Sequence, residues 1–311
     1  MRVACVGVGT IGRSWALLFA WKGCDVTIYD VNSSIMDSAI REIREWLTFL
    51  IQNKVVEKEQ FDTIVSRITP TKSLEDAVRN VDYVQESVVE NLELKKQVFK
   101  NLSQVAKSST ILASSSSGLS ISEIQKSALK PERCLIVHPI NPPHLIPLVE
   151  IVPGKETSEE VVKEVYNFML NLGKVPIIVR KEVPGFIFNR LAAALWREAL
   201  DLVDKDVASV EDIDKAVYSG LGLRFAVMGP FLTYQLGGGA GGLEYFIEHL
   251  GPAFSAWWKS MENWSSIPYS AAKKAINGVK QIPLVKSKTY NELVKWRDER
   301  LIKMLKTFWH Y

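Results

Sequence analysis

The chain has 311 residues, 47% of them hydrophobic, and its 38 basic and 35 acidic residues leave a net charge of only +3. That length suits two domains with an ample core, and charges so balanced and scattered exclude the basic stripe that nucleic-acid binding needs. Cys5, Cys24 and Cys134 lie in or beside apolar runs without metal-ligand spacing, so they read as reduced, buried thiols; with no apolar run of about 18 residues and a first strand starting at Arg2, leaving no room for a targeting segment, a cytoplasmic protein is expected.

The first strand-like run, Val3 to Val6, leads into Gly7-Val8-Gly9-Thr10-Ile11-Gly12 and then a helical stretch, Arg13 to Lys22. A second strand, Asp25 to Tyr29, ends at Asp30. This order and spacing describe a dinucleotide site. Gly7 allows the tight turn, Gly9 lets the backbone approach a pyrophosphate, and Gly12 lets the helix pack against the strand. The backbone of Thr10 and Ile11 opens the helix, whose free N–H groups and partial positive charge suit phosphates. Asp30 would accept from the adenosine ribose hydroxyls and repel a 2′-phosphate, which favours NAD over NADP.

Residues 33 to 66 are too long for one crossover helix and read as a helical arm, with Trp46, Phe49, Leu50 and Val55 on its apolar side. Such an arm could cover a substrate. Further β-branched runs follow at Tyr83 to Val88, Thr110 to Ala113, Leu135 to His138, Leu148 to Val152 and Val175 to Val179. Their alternation with helical stretches predicts an α/β, Rossmann-type domain with a mainly parallel sheet over residues 1–183. Glu182-Val183-Pro184-Gly185-Phe186 reads as a hinge, after which β-alternation almost disappears and residues 184–311 are expected to form an all-α domain. One helix is predicted near Pro184, with Leu191, Leu195, Ala199 and Leu202 as its stripe, and another after Ser209, with Asp212 as a capping signal. Gly237 to Gly242 reads as a loop. Six of the nine tryptophans fall between Trp196 and Trp309, a surface that a self-contained core or another subunit would have to bury.

A dinucleotide domain needs a proton-transfer group near the nicotinamide, and the chain holds four histidines. His310 is terminal, His249 sits in a predicted surface helix and His144 follows two prolines. His138 ends the strand Cys134-Leu-Ile-Val-His, at the edge where open sheets present residues to a ligand. A strand histidine is ordinarily a satisfied core residue. Against that stands Glu150, twelve residues on in the apolar strand Leu148-Val149-Glu150-Ile151-Val152, where an unpaired carboxylate is costly to bury. A His138–Glu150 pair resolves the cost, because the carboxylate fixes the imidazole tautomer and raises its basicity. The run Ser114-Ser115-Ser116-Ser117-Gly118 would ordinarily be a solvated loop, but at a strand end it puts hydroxyls beside the nicotinamide.

Across essentially its whole length the chain resembles the L-3-hydroxyacyl-CoA dehydrogenases. The resemblance rests on the glycine turn with Asp30, Val89-Glu90-Asn91-Leu92-x-x-Lys95, Ser117, His138-Pro-x-Asn-Pro142 with Leu148-Val149-Glu150, Pro184-Gly185-Phe186-x-x-Asn189-Arg190, and Gly229-Pro230-Phe231. It implies an NAD-dependent enzyme in which His138 is the general base and Glu150 its partner. Ser117 and Asn189 would hydrogen-bond the substrate oxygen, and Glu90 and Lys95 would touch the nicotinamide ribose with Ser115 beside them. It also implies a homodimer formed through the second domain, with Asn189 in that domain's first helix, so that catalysis needs the two domains to meet.

Two features depart from the family pattern. The C-terminal segment from Tyr290 differs from the usual ending, and Gly220-Leu-Gly-Leu-Arg224-Phe-Ala-Val-Met precedes the shared Gly-Pro-Phe. Both resemble the lambda-crystallin and L-gulonate 3-dehydrogenase branch, and the Gly-Leu-Arg piece is similar to carnitine 3-dehydrogenases, whose substrates are free 3-hydroxy acids. Arg224 could hold a free carboxylate bidentately, which a thioester does not offer; it could equally be a solvated arginine near a turn. The expected activity is oxidation of an L-3-hydroxy acid or L-3-hydroxyacyl-CoA. A crystallin-like protein that binds NAD without turnover is the reading from another class.

Overall fold

The computed structural model describes residues 1–308; His310 and Trp309 lie outside the described residues. Contacts divide the described residues into two units, one of Met1–Arg190 with Leu301–Lys303, the other of Leu191–Arg300 with residues 304–308.

The first unit opens with β1 (Arg2–Val6), α1 (Thr10–Trp21) and β2 (Asp25–Tyr29). The arm follows as α2 (Ser33–Gln52) and α3 (Phe61–Ser66), then β3 (Ile68–Pro70), α4 (Leu74–Val78), β4 (Tyr83–Glu86), α5 (Leu92–Val105), β5 (Ile111–Ser114) and α6 (Ile121–Ile124). The unit ends with β6 (Cys134–Pro139), β7 (Leu148–Pro153), α7 (Glu159–Asn171) and β8 (Val175–Ile178). The eight strands form one sheet in the order β3-β2-β1-β4-β5-β6-β7-β8. All neighbours are parallel except β6 and β7. Strand order reverses at β1, so a crevice opens at its carboxyl end, the place where doubly wound sheets bind ligands.

Helix α1 is buried nearly all round from Ser14 to Ala20, because the sheet lies on one side and the arm crosses another. The arm is therefore docked. Its buried face is Met36, Ala39, Ile43, Leu47 and Leu50, a 3.6-residue stripe. Trp46 is half-buried and stacks on His144 at 5.1 Å, and Arg13 pairs with Glu42. His144 is in turn bonded to α1, its Nδ1 lying 2.7 Å from Ser14 Oγ.

The described residues of the second unit form helices and their connections. Helix α8 (Phe188–Asp204) leads into it, followed by α9 (Val210–Ala216), a π turn over Val217–Leu221, α10 (Gly222–Val227), α11 (Pro230–Gly237), α12 (Gly242–Ser260), α13 (Tyr269–Val279), α14 (Pro283–Ser287) and α15 (Tyr290–Phe308). Ser209 caps α9 by accepting the Asp212 N–H at 3.1 Å, as its sequence predicts. Helix α8 starts later than Pro184, because Gly185 and Phe186 sit at φ +76° and +50°, outside the helical region. Its predicted stripe is only partly covered by the described residues: Leu191 and Leu195 are exposed, Ala199 and Leu202 are half-buried, and the buried positions are Leu200, Asp201 and Val203. Among the described residues no helix is long and apolar enough to cross a membrane.

Candidate active site

The carboxyl ends of the parallel strands carry the site. β1 runs into the glycine turn, β4 into Ser87–Glu90, β5 into Ser115–Ser117, and β6 carries His138. Gly7 adopts φ +83°, and a Cβ there would meet the Ser87 backbone at 2.8 Å. At Gly12 a Cβ would lie 1.8 Å from the Gly7 carbonyl oxygen, so only glycine lets α1 start this close to β1. Beside Gly9 there is nothing within 4 Å. No side chain caps α1, which leaves the N–H groups around exposed Thr10 and half-buried Ile11 for a ligand. An anionic diphosphate fits this cradle.

Asp30 is half-buried at the end of β2. Its Oδ2 accepts the Val8 N–H and its Oδ1 the Asn32 N–H, both at 3.0 Å. Those bonds fix the carboxylate beside the turn while each oxygen keeps a lone pair for a ribose hydroxyl. The donor set fits NAD.

A pocket of about 550 Å³ adjoins the turn, lined among others by Ile11, Glu90, Ser117, His138 and Asn189, with Lys95 and Ser115 in its wall. Six of the expected positions are thus within the first unit beside one cavity, together with Ile11 of the turn. Glu150 lies directly behind His138. The two residues are opposite partners in the antiparallel β6–β7 pair, which puts their side chains on one face, and His138 Nδ1 lies 2.7 Å from Glu150 Oε2. With Nδ1–H donating to the carboxylate, Nε2 is left as the ring nitrogen with a free lone pair. Phe186 holds the ring edge-on at 5.5 Å. Glu150 Oε1 accepts the N–H groups of Ile187 and Phe188 at 2.8 and 2.9 Å. Burial alone would raise the Glu150 carboxyl, but the bonds from His138, Phe188 and Ile187 outweigh it and hold its pKa below the ordinary glutamate value.

Asn189 is the second residue of α8, yet its Nδ2 donates to the Ser117 carbonyl at 2.9 Å instead of capping its own helix. It groups with the first unit, whose contact boundary follows Arg190. Ser117 is exposed; its N–H donates to Glu90 Oε1 at 2.9 Å and its hydroxyl reaches the same oxygen at 3.4 Å. Ser115 Oγ accepts from Gln85 Nε2 at 2.7 Å and contacts Ser87 Oγ at 2.8 Å. Lys95, expected at a ribose, has its ammonium enclosed and bonded to Glu86 at 2.7 Å. Arg224 is exposed on α10 of the second unit. The three cysteines are free and buried, and burial raises each thiol; Cys134 is pushed up to about 12.

Glu86 escaped sequence reading, although it offers the same signal as Glu150, a carboxylate inside an apolar strand.

Comparison with known proteins agrees with this geometry. A model of the 3-hydroxyacyl-CoA dehydrogenase NAD binding domain matches residues 2–183, and one of the 3-hydroxyacyl-CoA dehydrogenase C-terminal domain matches residues 185–277. An L-carnitine dehydrogenase of Oceanobacillus iheyensis is 36% identical over 98% of this chain and 97% of its own length. A 3-hydroxyacyl-CoA dehydrogenase of Gibberella moniliformis is 40% identical over 97% of this chain and 93% of its own. Among solved structures, 5-formyl-3-hydroxy-2-methylpyridine 4-carboxylic acid 5-dehydrogenase, an NAD+ dependent dismutase, superposes with a TM-score of 0.83 at 28% identity, covering 99% of this chain and 98% of that one. The chain belongs to the 3-hydroxyacyl-CoA dehydrogenase family and is an NAD-dependent oxidoreductase.

Proposed function

We propose that the chain oxidises the 3-hydroxyl of a free L-3-hydroxy acid of the carnitine type to the 3-keto compound, with His138 as general base. The observation that carries the reading is the 2.7 Å contact between His138 and Glu150 at the wall of a pocket that also presents Ser117 and Asn189. The Gly7–Gly12 turn and the start of α1 hold the cofactor pyrophosphate, and Asp30 holds the adenosine ribose. NAD supplies the acceptor for the hydride that leaves C3. His138 Nε2 takes the hydroxyl proton, and Glu150 stabilises the imidazolium that results. Asn189 Nδ2 and Ser117 Oγ donate to the same oxygen as it becomes a carbonyl, which fixes the C3 hydrogen in one direction. In reduction the imidazolium returns the proton.

Full-length likeness to an L-carnitine dehydrogenase supports a free acid. The exposed Arg224 guanidinium suits a carboxylate. A second reading, a CoA thioester, is supported by likeness to a 3-hydroxyacyl-CoA dehydrogenase. NADH formation with L-carnitine, L-gulonate, other 3-hydroxy acids and 3-hydroxyacyl-CoAs separates them. Turnover of the free acids, with Arg224→Ala raising their KM tenfold or more and leaving a thioester unaffected, is the expected result. NAD binding without turnover of any substrate would leave a crystallin-like binding protein and refute the reading.

The second unit exposes Trp196, Phe231, Tyr245, Trp257 and Trp258, more aromatic surface than a soluble monomer usually leaves in water. This supports a homodimer through that unit, which light scattering would detect as twice the chain mass.

A further inference from the structure

Glu86 closes β4 with its side chain fully buried, and the proton transfer described above makes no use of it. Its Oε1 accepts from Lys95 Nζ at 2.7 Å and from the Val88 N–H at 2.6 Å. The other oxygen accepts from Ser114 Oγ at 2.6 Å. Lys95 Nζ also donates to the Val88 carbonyl at 3.2 Å and lies 3.5 Å from Glu90 Oε2. Glu90 Oε1 in turn accepts from Ser116 Oγ at 2.6 Å and from the Ser117 N–H at 2.9 Å. Two carboxylates share one ammonium, and the group carries one net negative charge.

Buried ion pairs seldom stabilise a fold better than apolar side chains of the same volume, so fold stability does not account for this network. Position does. Glu90 and Lys95 line the same pocket as His138. A hydride acceptor has to reach the carbon whose hydroxyl meets His138, so the nicotinamide ring has to enter that pocket. The ring is cationic when oxidised and neutral when reduced, and both forms share every other group.

We propose that Glu86 sets the redox-state preference of the cofactor site: the net negative charge of the Glu86–Lys95–Glu90 network tightens binding of oxidised nicotinamide relative to reduced. The inference rests on the NAD site described above. Weaker retention of the reduced form favours its release after oxidation of the substrate, and stabilising the cation lowers the reduction potential of the bound couple.

Calorimetric titration of the full chain with NAD+, NADH and ADP tests this without turnover. Glu86→Gln is nearly isosteric and neutralises the network. It should weaken NAD+ about tenfold relative to NADH, a difference of about 1.4 kcal/mol in binding free energy. ADP affinity should not change. Glu90→Gln also neutralises the network and should shift the ratio the same way, which keeps the test available if Glu86→Gln does not fold. The double variant Glu86→Gln with Lys95→Gln restores one net negative charge, and its NAD+/NADH ratio should return to within threefold of the original. Equal weakening of both cofactors, or a double variant as displaced as Glu86→Gln, would overturn the proposal. If the unaltered chain binds ADP but neither cofactor, the NAD assignment itself fails.

Discussion

Replacing Glu150 by glutamine tests the mechanism at its most constrained atom. The carboxylate has two duties, accepting from His138 Nδ1 with one oxygen and from the N–H groups of Ile187 and Phe188 with the other. An amide has only one oxygen. If that oxygen stays on the two backbone donors, the amide NH2 faces Nδ1 and forces the imidazole into the tautomer protonated on Nε2, which cannot act as a base. If the amide flips, its NH2 opposes two N–H groups, leaving buried donors unpaired at a cost of about 1–3 kcal/mol each. The flip would keep an acceptor on Nδ1–H, but only at that cost, so the unflipped amide prevails and the base is lost; loss of general acid-base catalysis predicts a fall in kcat of about 10² to 10⁴. KM for the hydroxy acid should change little, because Glu150 is fully buried and does not touch substrate. Initial rates of NADH formation at saturating NAD+, with circular dichroism to confirm folding, supply the measurement. A kcat within tenfold of the original would refute the tautomer argument. The pH response follows the same chemistry: a carboxyl held below its ordinary pKa stabilises the fold above that ordinary value. That stabilisation is lost as pH falls through the folded value. Acid should therefore destabilise the original chain more than the glutamine variant, as urea melts would show.

Gly12→Ala should reduce stability by about 1–3 kcal/mol, because the added carbon meets backbone that cannot yield, and should abolish NAD binding; an unchanged urea midpoint would contradict the close-packing argument. Asp30→Ala should narrow the preference for NAD over NADP, checked by the ratio of the two affinities, and a constant ratio would mean that Asp30 does not face the ribose. Lys174 is buried, with Nζ donating to the Pro143 and Ile146 carbonyls at 2.7 and 2.5 Å, and burial followed by the charge of Lys22 lowers it to about 7. Between pH 7 and its ordinary value the unfolded chain binds a proton that the folded one does not, so stability should rise by up to about 1.4 kcal/mol per pH unit. Lys174→Met should flatten that rise in thermal melts.

The glycine turn, the strands and the His138–Glu150 pair were legible because each obeys a local rule: three glycines at fixed offsets, β-branched runs of four to six residues, a carboxylate that cannot be buried alone. Strand β3 was not legible. Its three residues include a proline and only Ile68 is buried, so no alternation marks it. The motif around Lys95 says nothing about which partner its ammonium turns to; Glu86, nine residues earlier on another element, takes it, while the side chain still borders the pocket. Leu191 and Leu195 have helical spacing, but spacing does not reveal whether the face they share is covered, and the described residues leave both exposed. Arg224 is exposed, as one of its two sequence readings allows, but it stands on helix α10, which a reading of turn residues did not mark.

The bonds from Ile187 and Phe188 to Glu150 set a rule for anyone exchanging second domains within this family. A chimera joined at the apparent hinge, Pro184, would import foreign backbone into the shell that orients His138, and its activity would fall for reasons unrelated to substrate fit. A splice placed after Asn189 keeps both N–H donors and the Ser117 contact with the parent catalytic domain.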